Sequence, residues 1–139
     1  MRITFVRPML LISFALLLAS LVPAASALQC TIATFTGSYG FTFSGFTKDH
    51  GMTVPFAGTG ASTSDGAGNI SGTITLSSNG HIATGPYTGT YVVNPDCTGT
   101  LTSTSGGANV SFVIVGGGKE TLGVATDPGE TWTIDSKKM

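Results

Sequence analysis

"GSYGFTFSGF", residues Gly37–Phe46, sets an aromatic side chain at every second position: Tyr39, Phe41 and Phe43, separated by Gly40 and Thr42. Successive side chains of an extended strand point to opposite faces, so this spacing makes one aromatic face and one small, polar face. The stretch predicts a half-buried β-strand.

Working outward, the same device recurs along the chain. "NISGTITLSSNG" (69–80) places Ile70, Ile74 and Leu76 on one side and Ser71, Thr73, Thr75 and Ser77 on the other. "YTGTYVV" offers Tyr87, Tyr91 and Val93, and "ANVSFVIV" offers Val110, Phe112 and Ile114. "ETLGVAT" and "ETWTIDS" close the series with Leu122 and Val124, then Trp132 and Ile134, as the apolar positions. "FAGTGAST" (56–63) reads as a weaker strand, because Gly58 and Gly60 remove side chains where packing would help. Between these runs lie turn sequences: Asp65–Asn69, Ser78–Gly80, Gly116–Gly118 and Asp127–Gly129. No segment of ten or more residues carries helical spacing of its apolar positions.

These strands and hairpin-length links predict an all-β fold, a single antiparallel barrel of about eight strands, with a β-sandwich as the alternative. Closure favours the barrel, because it removes the exposed edges that invite aggregation in a chain with so few charges. The interior of such a barrel is either filled by side chains or holds one small ligand.

The first residues carry Arg2 and Arg7, an apolar run from Met9 to Val22, then Pro23 and the small-residue pattern Ala25-Ser26-Ala27. That is the grammar of a secretory signal peptide over residues 1–27, and the apolar run falls short of the roughly 20 residues that span a bilayer. The mature chain would be residues 28–139, one domain, secreted or periplasmic. Both arginines leave with the leader, so four lysines face seven carboxylates, a net charge of −3. Without arginine or a basic run, the electrostatic basis for nucleic-acid binding is missing. Insertion of the barrel into a membrane is disfavoured by strand faces of Thr, Ser and Gly where lipid would want Leu and Val.

Only two cysteines occur, Cys30 and Cys97, the second in the Pro-Asp turn of "YVVNPDCTGTL" (91–101). In an oxidising compartment the two form a disulfide that ties the amino terminus to a hairpin tip. Closing a loop of about 67 residues is worth roughly 4 kcal/mol in the chain-entropy model. A reactive thiol would want a cationic neighbour or a CxxC spacing, and neither is present.

The ordered set "GSYGFTFSGF", "DGAGNISGTITL", "TGTYVVNPDCTGTL", "FVIVGGGKETLGVATDPG" and "SKKM" resembles a group of small secreted proteins abundant in soil acidobacteria, over a span from about Cys30 to Lys138. "NPDCTG" and "GGKE" are its most specific parts. Through its pattern of hairpins the chain also resembles calycin-like barrels, which include the allene oxide cyclase and dirigent families. That likeness implies a fold and carries no catalytic residue onto this chain.

Other candidate chemistry is sparse. His50 and His81 sit in polar links without metal-ligand spacing, so no metal site is expected. Asp65–Asn69 supplies too few oxygen ligands for calcium and reads as a tight turn. Lys119 and Glu120, adjacent in a strand, face opposite sides. The glycine run 116–118 lacks the features of a phosphate loop, and no cofactor motif is present. The aromatic residues are mostly core, but Tyr39, Tyr87, Tyr91 and Trp132 are candidates to line a cavity for a small apolar ligand, their polar atoms serving as handles. The expected role is non-enzymatic, a binding or structural domain outside the cytoplasm; a cofactor-free cyclase or isomerase acting inside the barrel is the competing reading. A cavity of a few hundred cubic ångströms holding a polar pair would favour ligand binding or catalysis, and a solid aromatic interior a structural role.

Overall fold

The alternation read from the sequence runs through eight strands of a computed structural model that describes residues 29–139. The leader read at residues 1–27 lies outside the described residues. A short 3-10 turn, Ile32–Thr34, precedes β1 (Thr36–Asp49), β2 (Met52–Asp65), β3 (Asn69–Ser78), β4 (His81–Val93), β5 (Thr98–Ser103), β6 (Val110–Val115), β7 (Glu120–Ala125) and β8 (Thr131–Lys138). Each strand pairs antiparallel with the next, and β8 pairs back onto β1 to close the barrel. No helix among the described residues is long and apolar enough to cross a membrane.

The up-and-down order divides the turns between two ends. The β1–β2, β3–β4, β5–β6 and β7–β8 connections lie at one end, and β2–β3, β4–β5 and β6–β7 at the other, together with the amino-terminal segment. That segment plugs its end. Cys30 is disulfide-bonded to Cys97, 67 residues away in the β4–β5 turn, and its backbone N–H donates to the Pro95 carbonyl at 3.1 Å. Cys97 itself sits at φ +69°, a conformation that L-residues seldom adopt, while its N–H donates to Asn94 and its carbonyl accepts from Ile114. A disulfide of this kind persists in oxidising compartments and points to a location outside the cytoplasm.

Phe35, just before β1, fills the plugged end. Its ring centroid lies 4.9 Å from that of Tyr39, 5.0 Å from Tyr91 and 5.4 Å from Phe112. The two tyrosine hydroxyls donate to backbone carbonyls at this end, Tyr91 to Phe35 of the plug at 2.7 Å and Tyr39 to Gly118 of the β6–β7 turn at 2.6 Å. Only glycine serves at position 118, where φ is +93° and a Cβ would stand 2.3 Å from the Thr34 carbonyl oxygen.

Two details differ from the sequence reading. The stretch 56–63 is no weak strand but the middle of β2, one of the two longest. Its glycines are opposite the rings of β1: Phe43 pairs with Gly58 and Phe41 with Gly60, and a Cβ would come within 2.2 and 2.5 Å of the two ring tips. The missing side chains are the space the rings occupy. In β7 the apolar phase is inverted. Leu122 and Val124 face outward, 43% and 47% exposed, while Thr121, Gly123 and Ala125 face in. The neighbours set this phase: Gly123 lies between Phe112 and Ile134 in register, and a Cβ there would crowd Val110 at 2.8 Å and Ile134 at 3.0 Å.

β4 outruns its neighbour. Only Gly89–Val93 pair with β5, so the first half of β4 leaves one edge open. Thr88 turns its N–H and C=O toward β5, donating to Ser105 Oγ and accepting from Thr104 N. Alternation then puts position 86 on the same, unpaired side, where a proline forfeits no ladder bond and denies a donor to an incoming strand.

Two stability measurements check this description. Cys97→Ser should lower the unfolding free energy by about 2–5 kcal/mol in denaturant titration, and an unchanged midpoint would contradict a stabilising tie. Gly60→Ala should cost about 1–3 kcal/mol through overpacking. Gly85→Ala, with nothing within 4 Å of the new Cβ, should be tolerated in the same assay.

Candidate ligand-binding site

Between the plug and the open end the barrel encloses a cavity of about 510 Å³. Pockets that hold small molecules fall in the range of roughly 300–1,000 Å³. Phe35 forms the floor over the plug. The walls are inward-facing side chains of every strand, and the rim is made by the β5–β6 loop, the β7–β8 turn and Thr47 near the end of β1.

The apolar wall is largely aromatic. Phe43 lies 4.9 Å from Phe56 and 5.5 Å from Trp132, ring centroid to centroid, and Phe56 and Trp132 are 6.0 Å apart. Ile70, Ile74, Leu76 and Leu101 complete the far side. Phe41, Phe43 and Phe112, whose ring tips lie over Gly60, Gly58 and Gly99, also line the cavity, and such rings suit contact with an apolar molecule.

The polar groups are few and fall into two sets. At the rim, Glu130 accepts from Thr47 Oγ1 at one oxygen and from Trp132 Nε1 at the other, both at 2.7 Å. The bridge joins the start of β8 to the end of β1 and fixes the indole plane. Nearby, Asp127 accepts from the Asn109 side-chain amide at 2.9 Å and from its backbone N–H at 3.1 Å, which clamps the β5–β6 loop against the β7–β8 turn. Inside, Thr121 and Ser136 hydrogen-bond one another across β7 and β8. Ser62 and Tyr87 also line the cavity, and neither hydroxyl has a hydrogen-bond partner among the described residues.

Of the four candidates named from the sequence, the structure brings Trp132 and Tyr87 to the cavity and places Tyr39 and Tyr91 in the plug, with their hydroxyls bound to backbone. Ser62, Thr121, Ser136 and Glu130 were not legible as lining residues. Ser62 lies in the glycine-rich stretch read as weak, and Thr121 belongs to the strand whose phase is inverted. His50 is an exposed turn residue at φ +47°, with its imidazole 3.5 Å from Asp49, and His81 is exposed at the start of β4. Among the described residues no cluster of three or more His, Cys, Asp or Glu could hold a metal ion. The Asp65 carboxylate accepts from the backbone N–H groups of Ala67 and Asn69 and from the Asn69 amide, which pulls its pKa below the usual carboxylate value and makes the segment a self-capped turn.

All three tyrosines of the chain have raised pKa values. Burial is the main cause in each, and it pushes Tyr87 from 10.0 up to about 12. A phenol whose folded pKa exceeds its unfolded value contributes stability below pH 10, and loses that contribution as pH climbs through the folded value. Alkaline titration followed by phenolate absorbance should therefore show Tyr87 un-ionised near pH 10 and Tyr39 and Tyr91 less ionised than in the urea-unfolded chain, where a phenol is half ionised at that pH. One phenolate titrating at its ordinary value in the folded protein would contradict the placement of that tyrosine.

With this geometry in hand, comparison with known proteins adds no family: no protein-family model matches the chain, and no curated protein matches it.

Proposed function

We propose that this protein is a secreted or periplasmic binding domain that encloses one small, largely apolar molecule within its barrel. The observation that carries this reading is the 510 Å³ cavity, walled by aromatic rings and closed at one end by a disulfide-tied plug. A domain with a purely structural role would gain stability from filling that space, because a void forfeits the dispersion contacts and burial of its lining. The fold-level likeness to calycin-like barrels agrees with the reading and adds no residue to it. The outward faces of β1 and β3, rich in Thr and Ser, fit water better than lipid.

Binding fits the interior better than catalysis does. Glu130 and Asp127 are already engaged in holding the rim. Tyr87, at about 12, is far from the neutral range in which general acid–base groups work best. Thr121 and Ser136 have no histidine beside them to activate a hydroxyl.

The test is fluorescence titration with N-phenylnaphthylamine, a neutral apolar dye, using Trp132 as energy donor, since it is the only tryptophan of the chain and lies in the wall. The expected result is saturable binding of one dye per protein. Ile74→Phe, which adds bulk to the lumen, should weaken it about tenfold or more, a loss of roughly 1.4 kcal/mol. No binding, or binding indifferent to Ile74→Phe, would overturn the reading.

A further inference from the structure

The register places two hydroxyls in one row of the inner wall. Ser62 on β2 pairs with Gly72 on β3, and Gly72 pairs with Tyr87 on β4. All three positions face inward, and the middle one has no side chain, so nothing between Ser62 and Tyr87 stands over the wall. Only glycine fits there, because a Cβ at position 72 would lie 2.0 Å from the Ala61 carbonyl oxygen and 2.7 Å from Ser62 Cα.

Ser62 is 5% exposed and lines the cavity, yet its hydroxyl has no protein partner among the described residues. The Tyr87 hydroxyl is in the same condition. A hydroxyl that opens onto a cavity without a protein partner keeps its donor and acceptor for whatever occupies that cavity. Most other inward hydroxyls are engaged: Tyr39 and Tyr91 donate to carbonyls, Thr121 and Ser136 bond each other, and Thr47 bonds Glu130. Among the described residues Ser103 Oγ on β5 is also without a partner, but it is buried away from the cavity lining, so the unpartnered hydroxyls that line the cavity are the two on either side of Gly72.

The charges around the cavity narrow the class of guest. Among the described residues no Lys, Arg or His lines it, and the two carboxylates that do, Asp127 and Glu130, stand at the rim. An anionic head would meet carboxylates and no cation, and would lose its hydration inside an aromatic wall.

We infer that the cavity selects a neutral apolar molecule bearing one uncharged hydroxyl or carbonyl group, which Ser62 and Tyr87 bind together across Gly72. A hydroxyl guest can accept from one side chain and donate to the other, and a carbonyl can accept from both. The aromatic and aliphatic walls supply most of the binding free energy, and the pair supplies orientation and discrimination. This inference rests on the cavity being a ligand site.

Its test uses a set with one skeleton: naphthalene, naphthol, naphthoate and naphthylmethylammonium, each competing with N-phenylnaphthylamine. The variants are Ser62→Ala and Tyr87→Phe, whose fold is checked by their urea midpoints. In the wild-type protein naphthalene and naphthol should displace the dye and naphthoate should not. Each variant should weaken naphthol roughly three- to tenfold, the worth of one neutral hydrogen bond, and leave naphthalene unchanged. Equal losses for naphthol and naphthalene, or none for naphthol, would overturn the inference while the cavity reading stands. So would naphthylmethylammonium binding most tightly and losing its advantage in Glu130→Gln, which would put polar recognition at the rim. Failure of N-phenylnaphthylamine itself to bind would instead remove the cavity reading on which the inference depends.

Discussion

Phe41 and Phe43 lie against Gly60 and Gly58 of the neighbouring strand, their ring tips where Cβ atoms would otherwise be. This contact decides what kind of interior the barrel has. A ring that stands up from the wall reaches across the lumen and fills it; a ring laid along the wall over a glycine leaves the lumen open. Phe112 does the same over Gly99, with a Cβ there 2.4 Å from its ring tip. The rings keep their apolar burial, supplied by backbone on one side, and the cavity survives without stripping the fold of its largest hydrophobic groups.

The hollow interior makes the two ends unequal. A barrel whose lumen is empty gains little from its own centre, so the plugged end has to hold the structure together. There Phe35 meets three rings, two tyrosine hydroxyls fasten the plug to the backbone, and Cys30 is bonded to the β4–β5 turn. The open end is held differently, by carboxylates that bridge neighbouring segments: Glu130 between Trp132 and Thr47, and Asp127 onto Asn109. Hydrogen bonds at a rim can exchange with water and reform, whereas a buried aromatic cluster cannot open without exposing its area. Opening of the cavity therefore belongs to the rim, and stability to the plug.

Much of this was legible in the chain because strand alternation is a local rule. The faces of β1, β3, β6 and β8, the turn at Asn79-Gly80 and the pairing of Cys30 with Cys97 all follow from neighbouring residues or from simple chemistry. What escaped depends on register between strands. Gly58 and Gly60 look like weaknesses until Phe43 and Phe41 are known to lie opposite. Leu122 and Val124 look like core until Gly123 is seen between Phe112 and Ile134. The division of the tyrosines also depends on register and on Phe35, which belongs to no strand: Tyr39 and Tyr91 fall beside it and become part of the plug, while Tyr87 falls above it and lines the cavity.

The same dependence explains why Ser62 carries meaning that its sequence context hides. In "GTGASTSD" (58–65) it is one small polar residue among several, and on the outer face it would be unremarked. Inward-facing Ser64, two residues on, donates weakly to the Gly37 carbonyl beside the plug, and Thr59, facing out, donates to the Phe41 carbonyl. Ser62 makes no such bond among the described residues. A threonine or valine there would fill space, and an alanine would avoid an unmet hydroxyl; serine combines small volume with a donor and an acceptor aimed at the lumen. With the Tyr87 hydroxyl, that of Ser62 forms the part of the cavity wall whose hydrogen-bonding capacity the described residues leave unused.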